Sequence, residues 1–532
     1  MVAAELRGEL EDSLVPGYTL VPVHTLVRDS RRLDAEVYLS PGFHSRHEVV
    51  RAFPDAPTLA DVATVSQPGR LKGIQVPEGQ GVPFLAATQV FDIWPRPRKW
   101  LAQNKTPDLV NRFVEPGCIL VTCSGTVGNC ILAYECHAGT VISHDLLRVV
   151  PRDLGMRGYL YTFLLTRYGR AIMMSSHYGN IIKHLEVEHL NDLPIPIVDD
   201  LVEELDQDVA EVYDLRDEAY RLDMRARDRF AEALGPCSAT GDETGYAVAA
   251  HRLFTGRRRL DAYFHNPTAR AVVDLYRARA ADVVQIGSVA RAFVPGRFKR
   301  IFAETGTPYL DSEPVFKVNP GISKYLGSAT QIAPKKYLVE SGWLLIACSG
   351  QIYGLNGQAI LANGWHEDKI VTQHILRLVP DQSKVRAGYL EVVLSHPTLG
   401  QPVVISRAHG TSVPELSPED IEELPIPRLA GNQEDEIADM AERASELRMK
   451  ANEKENGSVA RLERELDRRI GAPVRAPAKI RPDVAETAHR VMMEATDQAR
   501  KTTPPSARAE QERDPEAVRR GKKGGRPRRK SG

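Results

Sequence analysis

Two long stretches of this 532-residue chain carry apolar residues at every third or fourth position, with charged residues between them. That spacing places one apolar stripe along a long helix and predicts helices over residues 198–236 and 430–470. Gly457 is expected to interrupt the second helix, because glycine is a poor helix former. Since a narrow stripe must be buried, we expect the two helices to pack antiparallel as a coiled-coil-like spacer. The stripe residues are Leu205, Val209, Val212, Leu222, Phe230, Ile437, Met440, Leu447, Leu462 and Leu466.

Short aliphatic runs bounded by glycine or proline precede each of these helices. Such runs predict buried β-strands, and further helices are expected from about Gly158 and Gly388. Each region is therefore predicted to be a mixed α/β domain. It closes at a Leu-Pro-Ile-Pro sequence, where two prolines are expected to end regular structure. The paired runs are 81–85 with 306–310, 117–122 with 342–347, and 143–151 with 372–380.

The same short motifs occur twice in the same order, about 225 to 231 residues apart. Self-similarity over a long period indicates one structural unit used twice. We predict a first domain over residues 1–197, a second over 245–429, and a tail over 471–532. The repeated motifs are Arg-Leu-Asp-Ala from Arg32 and Arg259, Pro-Gly-Arg-x-Lys from Pro68 and Pro295, Cys-Ser-Gly from Cys123 and Cys348, and Leu-Pro-Ile-Pro from Leu193 and Leu424.

The charge is unevenly distributed, although the net charge is only −1. Residues 199–234 carry thirteen acidic and five basic side chains, whereas residues 471–532 carry a balance of about +8. The tail has few large apolar residues, so we expect it to be largely disordered. There is no secretory signal and no apolar run long enough to cross a bilayer, so we expect a cytoplasmic protein without membrane contact.

The order of domain, long helix, domain and long helix, with a glycine-rich turn before each closing Leu-Pro-Ile-Pro, resembles the specificity subunit of type I restriction–modification systems. The resemblance covers roughly residues 15–470. It implies that each domain is a target-recognition domain that reads one half of a split double-stranded DNA site. It also implies that the helices dock two DNA adenine methyltransferase subunits, which bring in a restriction/translocase subunit for defence against phage and other foreign DNA. S-adenosylmethionine and ATP/Mg would then belong to those partners, and this non-enzymatic chain would bind no cofactor itself.

A spacer of two long helices also has a physical consequence of its own. A helix of about 35 residues is about 50 Å long at 1.5 Å per residue, which corresponds to at most about 15 base pairs at 3.4 Å each. Two readers held on such a spacer predict a bipartite target with an unread gap.

Candidate DNA contacts are the basic and polar residues of loops beside glycine, because cations contact phosphates and amide or hydroxyl groups read base edges. The Gly-Arg-x-Lys turns, a basic run between Trp94 and Trp100, the turns after Cys-Ser-Gly and two later glycine loops fit this description. The candidates are Arg70, Lys72, Arg96, Arg98, Lys99, Thr126, Asn129, Asn180, Lys183, Arg297, Lys299, Arg300, Gln351, Tyr353, His409, Thr411 and Ser412.

Two other functions remain open from the sequence. The chain would be a non-specific DNA-tethering scaffold if it acted only through its basic tail. It would be a metal-dependent nuclease if Glu367 and Lys369 formed half of a catalytic site. Four cysteines between 118 and 136 lack the tight C-x-x-C spacing of zinc sites, so no metal is expected.

Overall fold

The computed structural model describes residues 40–70, 72–176, 184–237, 245–254, 258–328, 330 and 337–471. The predicted tail and two candidate contacts, Asn180 and Lys183, lie outside these residues. We call residues 41–198 module 1 and residues 245–430 module 2. None of the helices in the described ranges is long and apolar enough to cross a membrane.

Each module is followed by one long helix, as the apolar stripes predict. The helices of module 1 are α1 (Pro41–Ala52), α2 (Leu59–Val62), α3 (Arg157–Leu165), α4 (Arg167–Ser176) and α5 (Val187–Asn191), followed by the spacer helix α6 (Asp199–Leu234). The helices of module 2 are α7 (Ala250–Leu253), α8 (Pro267–Arg279), α9 (Ala387–Ser395), α10 (Gln401–Ile405) and α11 (Pro418–Glu422), followed by the spacer helix α12 (Gln433–Ile470).

The strands of the two modules pair in the same way, so the sequence repeat is a repeat of structure. Module 1 contains β1 (Ala63–Ser66), β2 (Gln75–Val76), β3 (Val82–Leu85), β4 (Lys99–Leu101), β5 (Ile119–Thr122), β6 (Cys130–Leu132), β7 (Val141–Ile142) and β8 (Leu146–Pro151). Module 2 contains β9 (Asp282–Gln285), β10 (Ala290–Phe293), β11 (Phe302–Ala303), β12 (Thr307–Leu310), β13 (Lys324–Leu326), β14 (Leu344–Ala347), β15 (Ala359–Leu361), β16 (Ile370–Val371), β17 (Ile375–Pro380) and β18 (Pro425–Arg428). An antiparallel sheet β1-β8-β5-β6 corresponds to β10-β17-β14-β15, and a mixed sheet β2-β4-β3-β7 corresponds to β11-β13-β12-β16.

The spacer helices α6 and α12 pack antiparallel. Going along α6 from its start, ion pairs join it to successively earlier parts of α12, from Glu204 with Arg461 to Arg229 with Glu436. The mixed α/β architecture with an antiparallel helical spacer is therefore confirmed.

Each end of this helix pair belongs to the core of a different module. Leu205 and Val209 of α6 join Leu462, Leu466 and Ile470 of α12 in the core of module 1. The centre of the pair packs helix on helix, around Ala219, Ala444 and Leu447. At the other end, Phe230 and Leu234 join Ile437 and Ala438 in the core of module 2. The apolar stripes thus bury themselves against three different surfaces, and the modules sit at opposite ends of the rods.

Two local expectations are wrong. Helix α12 runs without interruption through Gly457, because Glu455 and Ser458 on either side are buried against other elements and outweigh a propensity cost of about 1 kcal/mol. The second Leu-Pro-Ile-Pro does not end regular structure, since Pro425–Arg428 pair antiparallel with β9. The two prolines occupy alternate positions of an edge strand, where a missing N–H does not remove a ladder hydrogen bond.

Candidate nucleic-acid interface

The turn after Cys-Ser-Gly in module 2 lies against the glycine loop that was predicted with it. The Nε2 of Gln351 donates to the carbonyl oxygen of Ser412 (3.2 Å), and the backbone N–H of Gly350 donates to that of Pro414 (3.2 Å). Tyr353, at the tip of the turn, is 72% exposed. His409, Thr411 and Ser412 are exposed on the neighbouring loop. The structure therefore brings the polar candidates of module 2 into one loop face.

The corresponding turn in module 1 is placed in the same way. Ser124 forms a β-bridge with His184, and the side chain of Gln67 donates to the carbonyl oxygen of His144 (2.8 Å), which ties the first Gly-Arg-x-Lys turn to this face. Thr126 is exposed, whereas Asn129 is half-buried and accepts a hydrogen bond from Arg170 (2.9 Å).

One position on these faces was missed from the sequence. Ser124 donates to Asp145 (2.6 Å) in module 1, whereas the equivalent Ser349 lies 2.7 Å from Nδ1 of His374 in module 2. Burial would raise the pKa of Asp145, but hydrogen bonds from Ser124 and Ser143 outweigh it and hold that pKa below its usual value. An ionised carboxylate in one copy and an imidazole in the other give the two faces different hydrogen-bonding chemistry. The sequence does contain a signal for this position: in the aligned repeats, Ser-His-Asp at 143–145 corresponds to Thr-Gln-His at 372–374.

All five cations of the two Gly-Arg-x-Lys turns are exposed, and one of them donates a hydrogen bond to another side chain. Arg70 and Lys72 are exposed, as are Arg297 and Lys299. Arg300 is exposed too, but its guanidinium donates to the hydroxyl of Tyr309 (2.8 Å). Four of the five cations therefore project into solvent without a side-chain partner among the described residues.

One side chain of the basic run between the tryptophans, that of Arg96, makes a contact between the modules. This guanidinium donates to Oε1 of Gln401 (2.7 Å) and to the carbonyl oxygen of Ser395 (2.8 Å) in module 2. Burial and the neighbouring charge of Arg227 lower the pKa of Arg96 to about 10. Arg96 is therefore engaged within the chain, whereas Arg98 and Lys99 are exposed, and all three stay predicted DNA contacts.

A cavity of about 440 Å³ lies between the modules beside this contact. Trp94 and Arg98 of module 1 line one side, and Tyr353 of module 2 lines the other. The segment of module 1 that contains Trp94 and Arg98 thus approaches the turn of module 2 that carries Tyr353.

Two buried ion pairs join the spacer helices α6 and α12 at the centre of the helix pair. Arg216 pairs with Glu455 (2.8 Å), with both side chains 4% exposed, and Arg448 pairs with Asp223 in the equivalent arrangement. Burial would raise the pKa of Glu455, but the charge and hydrogen bonds of Arg216 outweigh it and keep the pKa below its usual value.

Each of those two carboxylates also receives a donor from one module. The indole N–H of Trp94 donates to Asp223 (2.8 Å), and the amide of Asn319, the equivalent residue of module 2, donates to Glu455. Reciprocal contacts between equivalent residues are what a twofold relation produces. The modules and helices are therefore related by a pseudo-twofold axis.

Glu367 and Lys369, the candidate nuclease residues, are engaged in local contacts. Glu367 accepts a hydrogen bond from the backbone N–H of Ser341 (3.2 Å), and the Lys369 ammonium lies 4.4 Å from the centre of the Trp365 ring. Burial raises the pKa of Cys118 to about 11 and that of Cys130 to about 12. In the part of the chain that the structure describes, no group of three or more His, Cys, Asp or Glu side chains is placed to hold a metal ion.

The chain is similar to solved specificity subunits of type I restriction–modification systems. The subunit from M. genitalium is 13% identical, with 78% of this chain and 94% of that chain covered and a TM-score of 0.29. A structure described as the basis of complex assembly and conformational transition of the type I system is 14% identical, covers 79% and 99%, and has a TM-score of 0.25. The HsdS subunit from Thermoanaerobacter tengcongensis is 12% identical, covers 78% and 96%, and has a TM-score of 0.23. These low scores give the superpositions no weight of their own. Neither a family model nor a curated protein matches the sequence.

Proposed function

We propose that this chain is a DNA reader that recognises two different half-sites separated by a fixed gap. One observation supports this most strongly: two equivalent but chemically different loop faces are related by a pseudo-twofold axis and held at opposite ends of a rigid helix pair. A twofold rotation leaves the direction along its axis unchanged. Loop faces that point along this axis are presented to the same side, as one straight duplex requires, and we propose that orientation for both faces.

The separation of the modules suits one turn of DNA. Two residues of α6 that lie in different cores, Leu205 in module 1 and Phe230 in module 2, are about 25 residues or about 38 Å apart at 1.5 Å per residue. At 3.4 Å per base pair this is about 11 base pairs. Half-sites one helical turn apart lie on the same face of the duplex. The expected centre-to-centre spacing is therefore shorter than the upper limit from helix length alone.

The chemistry of the faces supports unequal half-sites. The carboxylate of Asp145 can accept a hydrogen bond from the amino group of cytosine or adenine, whereas the imidazole of His374 offers a different set of donors and acceptors. Gln351 and Tyr353 have no identical counterparts in module 1. The exposed cations of the Gly-Arg-x-Lys turns would supply phosphate contacts that position each module on its groove.

The finer part of the proposal concerns partners. We expect this chain to be non-catalytic and to direct a separate adenine methyltransferase, which would flip its target base out of the duplex. Two methyltransferase subunits would dock on the helix pair and its charged outer surface, and a restriction/translocase subunit would join them. S-adenosylmethionine and ATP/Mg would be bound by those subunits.

Selection from a library of random DNA duplexes tests the central proposal. The purified full chain should enrich two unlike half-sites with a constant gap. A variant lacking residues 473–532 should enrich the same target. Loss of all binding in that variant would favour the tethering scaffold, and metal-dependent cleavage by the chain alone that disappears in Glu367→Ala would favour the nuclease.

A matched pair of variants tests whether the modules read separately. Gln351→Ala combined with Thr411→Ala should relax only the half-site read by module 2. Arg279→Ala, which removes an exposed cation from α8 of the same module, should leave both half-sites unchanged. Relaxation of both halves by the first variant would contradict separate reading. Methylome sequencing of a host with and without the gene would then identify the partner's modified base.

A further inference from the structure

The two modules contact each other directly on the pseudo-twofold axis, and the residues that meet there are equivalent in the two copies. The backbone N–H of Ile93 donates to the carbonyl oxygen of Phe316 (3.0 Å), and the N–H of Val318 donates to that of Phe91 (2.8 Å). Between these reciprocal bonds, Asp92 of module 1 faces Lys317 of module 2. We call this contact the junction.

The junction carries opposite charges at equivalent positions. The ammonium of Lys317 lies 2.8 Å from Oδ1 of Asp92, and the two side chains are 18% and 17% exposed. A strict twofold would place two copies of the same side chain against each other, and two like charges at this distance and burial would repel. The junction is therefore built for two unlike modules.

A second contact is made by one copy only. Arg96 reaches from module 1 to Gln401 and Ser395 in module 2. The position equivalent to Arg96 in module 2 is Gly321, which has no side chain and nothing within 4 Å of where a Cβ would lie. Ser395 is the last residue of α9, so the Arg96 charge also complements the negative end of that helix.

We infer that the Asp92–Lys317 pair and the Arg96 contact fix the rotation of the two reading faces relative to each other and so determine which half-site gap is accepted. Asp92, Arg96 and Lys317 are positioning residues, because they act on DNA only through the orientation of the modules. Any module exchanged for module 2 would need a cation at position 317 and acceptors for Arg96. This inference rests on the proposed reading of DNA, but the orientation itself is measurable without DNA.

Charge reversal in the full chain tests the junction. Asp92→Lys places two cations on the axis, and Lys317→Glu in the same chain restores an attractive pair. Because Glu313 also contacts Lys317 (3.1 Å), the reversed pair is made together with Glu313→Gln. Asp92→Asn provides a milder variant if Asp92→Lys fails to fold, and Arg279→Ala serves as the control for Arg96→Ala.

The first measurement is the distance between spin labels on the two modules. Leu154→Cys and Leu260→Cys provide positions that are 70% and 77% exposed, in a chain that also carries Cys237→Ser. The parent should give one narrow distance distribution. Asp92→Lys, Asp92→Asn and Arg96→Ala should broaden it, and the reversed pair should narrow it again. An unchanged distribution in all three weakened variants would overturn the inference.

The second measurement is duplex selection with the same variants. The weakened variants should enrich the same half-site sequences with additional gap lengths, and the reversed pair should return to the parental gap. A broadened distance distribution with an unchanged gap would overturn the role in gap selection. If the parent enriches no target at all, the proposed function fails, while the distance measurement still decides whether the junction holds the modules.

Discussion

Removing the negative charge of Glu455 should destabilise the protein more than removing any exposed carboxylate of the helix pair. In Glu455→Gln, the guanidinium of Arg216 remains buried without its counter-ion. Breaking a buried pair by removing one partner typically costs about 3–5 kcal/mol. The amide that replaces the carboxylate also turns an N–H group toward either Tyr161 or Asn319, both of which donate to Glu455. The upper half of that range is therefore the expected loss of unfolding free energy.

The matched control is Glu204→Gln, at the end of the same helix pair. Its partner Arg461 is 37% exposed and Glu204 is 50% exposed, so solvent screens the interaction. An exposed pair contributes at most about 1 kcal/mol. Replacing both members of the buried pair, with Arg216→Met and Glu455→Leu, should cost less than Glu455→Gln alone because no charge is left buried.

Equilibrium unfolding in urea, followed by tryptophan fluorescence and by circular dichroism, measures these differences. Coincident transitions from the two probes are required before free energies are compared, because a chain of this size can unfold in steps. If Glu455→Gln costs no more than Glu204→Gln, the Arg216–Glu455 pair does not hold the centre of the molecule and the reasoning is refuted.

Three other predictions concern the reading loops and pH. Replacing Arg297 and Lys299 with Ala should weaken DNA binding and reduce the salt slope of log K by about 1.8, while Arg279→Ala leaves it unchanged; an unaltered slope removes this turn from the phosphate contacts. Burial lowers the pKa of His137 from 6.5 to about 4, so the unfolded chain binds a proton in this pH range that the folded protein does not. The unfolding free energy should therefore fall by up to about 3 kcal/mol as the pH drops from 6.5 to 4, and His137→Gln should reduce this pH dependence in urea titrations. Burial raises the pKa of Glu391 from 4.5 to about 7 despite the charge of Arg227, so the unfolding free energy that the protonated carboxyl group contributes should be lost as the pH rises from 4.5 to 7. Glu391→Gln should remove that loss, and an unchanged dependence of unfolding free energy on pH would contradict the raised pKa.

The elements that the sequence predicts well are those whose pattern follows from burial alone. The stripes containing Leu205 and Leu462 could be read as helices because no other period buries them. The strands around Ile119 and Leu344 were equally clear, since continuous aliphatic runs between glycines have few alternatives. Gly457 was misjudged because its local propensity is overruled by packing of its neighbours against another helix, which a local pattern does not contain.

The candidate contacts illustrate the same limit. A basic run such as that around Arg96 fits a phosphate, a carboxylate or a helix terminus equally well, and only the fold shows that it meets Ser395. The partners Asp92 and Lys317 are far apart in sequence and become neighbours only through the pseudo-twofold axis. Once the repeat is aligned, however, opposite charges at equivalent positions are a signal that the sequence does contain.

The proposed reading of two half-sites requires control of both a distance and an angle, and we propose that different elements of the fold supply them. The antiparallel helices hold each module between the end of one rod and the start of the other, which fixes the separation of the modules along the rods. Core packing already restrains how each module turns about the rods, and in our proposal the junction at Asp92 and Lys317 adds a second restraint on that rotation. In B-form DNA the two quantities are coupled, since each added base pair moves a half-site by about 3.4 Å and rotates it by about 34°. For a reader that fixes both quantities, a gap longer or shorter by one base pair is therefore mismatched in distance and in angle at once.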